Sequence, residues 1–167
     1  MSNTQKIENL RKLWDKVNDI KIAMMTTKDE DGHLRSRPMY TQQTEFTDYI
    51  WFFTKDDSPK ISEIIKDMQV NLNYANPDDS LYVSVSGQAI LVKDRDKARE
   101  LWNPTLKAWF PKELDDPHLA LIRVDADIAE YWDTPSSKMV QLFGMIKASV
   151  TGEEYRPGDN EKLNLKG

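Results

Sequence analysis

The chain has 167 residues, 39% of them apolar and 31% charged, which points to one globular domain of soluble composition. Its net charge of −5, the absence of cysteine and the presence of only two histidines exclude disulfides and thiolate chemistry. They also argue against a nucleic acid held by a basic face and against a His-rich metal site. No run is apolar enough to span a membrane, and the opening MSNTQKIENLRK lacks an apolar signal core, so a cytoplasmic protein with no membrane partner is expected.

Residues 3–18 read as an amphipathic helix, with Ile7, Leu10, Trp14 and Val17 at helical spacing and Asn3 or Thr4 as caps. A strand over 20–27 is followed by a turn at Asp29–Gly32 and a second strand from about Leu34 carrying RSRPMYTQQ. Pro38 cannot donate to a ladder, so this strand is expected to be an edge or to carry a bulge. Tyr49–Thr54 is apolar on both faces and reads as a buried third strand. Ser58 and Pro59 then fit the N-cap and first position of a helix whose apolar stripe is Ile61, Ile64 and Ile65. Strands follow over 70–75 and 81–93, the second with Gly87 where a sharp bend or close backbone approach is expected. A short helix from Asp94 to Trp102, a turn ending at Pro111, one or two strands over 120–133 and a helix over 136–149 capped by Ser136 or Ser137 complete the reading. Residues 1–150 are thus expected to form a single domain, and 151–167 a polar, poorly ordered tail. The short first turn implies a hairpin, and regular βαβ alternation is missing. The expected fold is therefore mainly β, a small antiparallel barrel with peripheral helices.

Two segments carry charge where an anion could use it. A helix N-terminus offers unpaired N–H groups and partial positive charge, and the third helical position here is Ile61 rather than a self-capping Glu. Lys60 adds a cation where the dipole alone disfavours one. The alternative is a solvated lysine, with Asp56 and Asp57 neutralising the helix end. Arg35 and Arg37 share one face of the second strand, and a guanidinium suits phosphate oxygens. Taken together, RSRPMY and DDSPK make a candidate phosphate clamp in which Arg37 and Lys60 are the cations. Most aromatics read as core, but Trp109, in the Pro-bounded WFP, is placed to cover a ligand or a partner chain. There is no nucleophile–base pair, no paired carboxylate site and no Gly-rich phosphate loop.

Six segments, AMMTTKDEDGHLRSRPM, YIWFFTKDDSPKISEI, YVSVSGQAILVKDRDKARELWNP, KAWFP, DDPHLALIRV and AEYWD, resemble the pyridoxamine 5′-phosphate oxidase-like, FMN-binding split-barrel family, and within it the bacterial general-stress-protein branch. The resemblance implies a six-stranded split barrel and a homodimer with flavin sites at the subunit interface. It implies that Arg37, Lys60 and Ser58 bind the phosphate. Met39 and Tyr40 would lie along the flavin ring edge, and Phe53 and Thr54 near the ribityl chain and phosphate. Trp109 would reach across from the second subunit. FMN is the implied cofactor, with FAD a close variant. The chain has Ser58-Pro59-Lys60 where the oxidase has Ser-Arg-Lys, and lacks the oxidase's C-terminal Arg and His segment, so it departs from pyridoxamine phosphate oxidation. A flavin-dependent oxidoreductase of unidentified substrate is expected; the alternative is a non-catalytic flavin reservoir or sensor in the stress response.

Overall fold

The structure, a computed structural model, describes residues 2–42, 49–135, 138–156 and 158–166. Helix α1 (Asn3–Val17) is capped by Ser2 rather than by Asn3 or Thr4, the Ser2 hydroxyl accepting from the Gln5 N–H at 3.3 Å. Then come β1 (Ile22–Lys28), β2 (Leu34–Gln42), β3 (Tyr49–Lys55), α2 (Pro59–Lys66), β4 (Gln69–Asn76) and β5 (Leu81–Val92). Helix α3 (Arg95–Leu101), 3-10 turns at Pro104–Ala108 and Glu113–Asp115, β6 (Leu119–Asp133), α4 (Lys138–Thr151) and β7 (Asp159–Asn164) follow. The expected caps of α4, Ser136 and Ser137, lie outside the described residues.

Every strand pairing is antiparallel, in the order β3-β2-β1-β4-β5-β6-β7, and β3 also pairs with β6. That second pairing closes β1–β6 into a six-stranded antiparallel barrel. The closure is incomplete between β2 and β3, which meet only at Thr41–Phe52 and Gln42–Trp51. Beyond those pairs the outer edge of β2 is free, and this is where Pro38 sits. The Thr41 N–H donates to Lys21 on the β1 side, so by alternation the nitrogen of Pro38 faces the open edge and costs the ladder nothing. At Gly87 the β5–β6 register shifts by a bulge, and a Cβ there would lie 2.2 Å from the Asp125 carbonyl oxygen, so only glycine fits.

Strand β3 is buried on both faces because it stands between two cores. Ile50 and Phe52 face the barrel interior with Met25, Leu72, Val85 and Val124, which α1 closes with Leu10, Leu13 and Val17. Trp51 and Phe53 face outward into a second cluster with Leu101, Leu106, Phe110 and Leu121. The α2 stripe is narrower than its sequence suggests, for Ile61 and Ile64 are buried but Ile65 is exposed.

The tail expected to be poorly ordered contains a seventh strand. β7 extends the sheet along the C-terminal half of β6, from Ile128–Asn164 to Asp133–Asp159. Leu163 and Leu165 are buried at the end of the barrel core, and the Leu165 N–H donates to Asp127 at 2.8 Å. The strand was obscured by its composition: EKLNLK alternates polar and apolar residues, but only two leucines carry the pattern. Replacing Leu163 by Ala should cost about 2–3 kcal/mol, as expected for a buried leucine at a strand end that can partly collapse. Urea unfolding checks this, and a midpoint unchanged from wild type would show the tail to be dispensable.

Candidate functional site

Where β2 and β3 diverge, the split in the barrel leaves a cavity of about 360 Å³. β2 contributes Pro38, Met39, Tyr40 and Gln42, and β3 contributes Phe53, Thr54 and Lys55. The α2 N-terminus brings Asp57, Ser58 and Lys60, and the turn after α3 adds Leu106, Trp109 and Phe110. Seven of the eight residues singled out from the sequence, Met39, Tyr40, Phe53, Thr54, Ser58, Lys60 and Trp109, therefore line one cavity. Phe53 is fixed there by Trp102 edge-on at 5.6 Å and by Phe110 at 6.1 Å between ring centroids. Trp109 is 63% exposed at the rim. It lines the cavity of its own chain.

The polar end of the cavity is the start of α2. Ser58 is the N-cap with Pro59 behind it, but the Ser58 side chain makes no capping bond. Its hydroxyl instead accepts from Lys60 Nζ at 3.1 Å and lies 3.4 Å from the Thr54 hydroxyl. Burial pushes the Lys60 ammonium below the ordinary lysine value of 10.5, and the nearby Arg37 charge pushes it further down, while Glu63 opposes both. A partly desolvated cation beside an uncapped helix N-terminus is a setting an anion relieves. Asp56 does not neutralise this end: Lys93 and His118 both pair with it, and these hydrogen bonds hold its carboxyl below the usual range. Asp57 does line the cavity, beside Ser58.

Arg37 is the eighth residue, and it is held differently. Its guanidinium donates to Glu63 at 2.8 Å and to the Thr27 hydroxyl, and it does not line the cavity. Glu63 is buried in the middle of α2 and also accepts from Thr27 at 2.5 Å, with Arg35 at 3.7 Å. Burial pushes the Glu63 carboxyl up, but the bonds from Thr27 and Arg37 outweigh it and bring it below the ordinary 4.5.

The family described as pyridoxamine 5′-phosphate oxidase like matches residues 8–156. The chain belongs to the pyridoxamine 5′-phosphate oxidase-like family. The chain is 32% identical over 158 residues to Protein bli-3 of Neurospora crassa, covering 84% of this chain and 76% of the relative. Among solved structures, the general stress FMN/FAD binding protein of Xanthomonas citri is 33% identical, with a TM-score of 0.67 over 78% of this chain and 92% of the other. A general stress protein 26 of Jannaschia sp. CCS1 has a TM-score of 0.74 over 94% of this chain and 98% of its own, at 22% identity, and shows the shared split-barrel fold.

Gln42, Lys55, Leu106 and Phe110 line the cavity without having been singled out in the sequence, and behind this pyridoxamine 5′-phosphate oxidase-like site lies Glu63. In PKISEIIK it reads as an acid on a solvated helix face, and only the approach of β1 and β2 turns it into the buried partner of Arg37. Among the described residues no helix is long and apolar enough to cross a membrane.

Proposed function

We propose that the cavity binds a flavin nucleotide, FMN or FAD, with its phosphate at the α2 N-terminus and its ring against β2. The observation that carries this is the convergence of Ser58, Thr54 and a partly desolvated Lys60 at one end of a cavity whose other walls are Met39, Tyr40, Phe53 and Trp109. Its volume falls within the roughly 300–1,000 Å³ typical of ligand sites. Lys60 and the helix N-terminus supply the phosphate charge, with Arg37 behind them tied to Glu63. Tyr40 and Trp109 present the aromatic surface a ring stacks on. The similarity to the Xanthomonas citri FMN/FAD binding protein supports the same reading.

A bound flavin supplies the redox chemistry, and the protein supplies binding and orientation. The favoured activity is therefore that of a flavin-dependent oxidoreductase. Among the described residues the titratable ones lining the cavity are Tyr40, Lys55, Asp57 and Lys60, which form no acid–base pair, so a non-catalytic flavin reservoir or sensor in the stress response stays as the second reading. The purified protein should show a flavin absorption spectrum and release FMN or FAD by mass spectrometry; a colourless protein that takes up neither would overturn the site. Reduction by nicotinamide or deazaflavin donors, followed by oxidation by a panel of acceptors, separates the two activities. Turnover no faster than free flavin supports the reservoir.

The protein is further proposed to be a homodimer. The outward face of β2-β1-β4-β5-β6 carries Ser36, Pro38, Met24, Thr26, Asn71, Asn73, Ser84, Ser86 and Ile128, with the charged Lys28 and Glu130 at its borders, on a chain that is 31% charged. Its polar groups bond to one another: Thr26 to Ser36 at 2.7 Å, Asn71 to Ser84 at 2.9 Å and Asn73 to Asn71 at 2.7 Å. A flat face depleted of charge and satisfied within itself fits an interface. Pro38 belongs both to this face and to the cavity wall, so a second copy seated there would border the flavin site.

A further inference from the structure

Helix α4 stands apart from the body that carries it. Among the described residues it makes at most marginal contact with the other helices and strands. Its inner side is met by the segment that follows it, where the Tyr155 ring packs so closely over Gly144 that a Cβ there would lie 2.8 Å from it. Its outer side is apolar and bare. Leu142, Ile146 and Val150 recur every four residues, flanked by Phe143 and Met145, and these five are 53–81% exposed.

Such a helix is not self-sufficient. At 14 residues it is near the length at which isolated helices are marginal in water, and Gly144 lies in its middle. The five side chains leave several hundred Å² of apolar surface uncovered, more than a monomer ordinarily shows and approaching the ~800 Å² per partner of a standard interface.

We propose that α4 is an arm with which one copy of this chain grips a second, seating the stripe of Leu142, Phe143, Ile146 and Val150 on the other copy. Two observations select this occupant. The helix begins five residues after the end of β6, whose Trp132, with Tyr82 opposite it on β5, is exposed on the same sheet face as Ile128. The charged residues of α4 are Lys138 and Lys147, carried on a chain of net charge −5. A cationic arm is complementary to a second acidic copy, whereas an anionic bilayer would repel the body to which the arm is attached. The inference rests on the homodimer proposed above.

The test is sedimentation velocity on the full chain across a concentration series, comparing wild type with Phe143→Glu/Ile146→Glu and with Asn73→Arg on the sheet face. Wild type should be a dimer, and the α4 variant should dissociate at least ten-fold more readily with the barrel still folded, as read from its tryptophan fluorescence and cooperative urea unfolding. A wild-type dimer weakened by Asn73→Arg but untouched by the α4 variant overturns the arm and leaves the sheet interface standing. A monomeric wild type overturns both. Hydrogen exchange gives a readout that needs no variant: α4 amides should be protected above the dissociation constant and lose protection on dilution below it. Unprotected α4 amides in the dimer refute the arm. So does co-sedimentation of wild type with phosphatidylcholine/phosphatidylglycerol vesicles that the α4 variant loses.

Discussion

Replacing Lys60 by Met weakens FMN binding roughly 10- to 150-fold, the loss of one charge-assisted contact of about 1.5–3 kcal/mol, while making the ligand-free protein more stable. The two effects have one cause. Burial and the Arg37 charge hold the Lys60 ammonium below the ordinary lysine value of 10.5, so the protonated side chain is a cost to the free protein at neutral pH. Methionine has a similar shape and no charge to desolvate, and it should raise the melting temperature by about 2–4 °C if it recovers ~1 kcal/mol. The same physics gives a pH dependence. A phosphate beside Lys60 favours its charged form and raises its pKa again, so binding is coupled to protonation of this group. Affinity therefore falls as pH rises through the depressed value of the free protein, below 10.5, and levels off above the value of the complex. Flavin-fluorescence titrations of both proteins across this range check it. A wild-type affinity that is flat with pH, or a Lys60→Met protein that binds as tightly, would remove Lys60 from the phosphate site.

Arg37→Met and Glu63→Met should each destabilise the fold by about 1–3 kcal/mol, because the first leaves the buried Glu63 with only Thr27 and the more distant Arg35, and the second leaves the part-buried Arg37 with the Thr27 hydroxyl alone. The double replacement should recover most of that loss, since a hydrophobic pair of similar volume needs no counter-charge. Here the pH sign follows from Glu63. Its folded pKa lies below the ordinary 4.5, so its ionisation stabilises the protein above that value, and the contribution is lost as pH falls through the folded pKa. Urea unfolding at neutral and at acid pH measures both effects. Single variants that unfold with the wild-type midpoint would show that the pair does not anchor α2 to β1 and β2. A flavin-affinity measurement on Arg37 alone would mix binding with stability, so the double variant is the appropriate background.

Much of the cavity was legible because each wall has a local signature. Ser58-Pro59 can start a helix and does little else well, and Tyr49–Thr54 is apolar on both faces because two cores need it. Pro38 marked an open edge because a missing N–H is tolerated only there. What escaped depended on contacts distant in sequence. Glu63 becomes a buried acid only when β1 and β2 arrive, and the inner face of α2 is turned toward Glu63 and away from Ile65. Leu163 and Leu165 are two leucines in a polar stretch until Asn9, whose amide donates to the Asn164 carbonyl at 2.8 Å, and Asp127 give their backbone partners. The sequence shows Arg37 as a cation without showing Glu63, its partner within the chain.

The position of β3 between two cores has a consequence for the thermodynamics of ligand capture. A strand that could shift only by disturbing both the barrel interior and the α3 cluster behaves as a stiff wall, and Phe53 and Thr54 are mounted on it. The site is thus pre-organised along this side. A ligand entering it would lose its own translational freedom but spend little on ordering this wall of the site. Affinity differences among related ligands would then be written mainly in how slowly they leave.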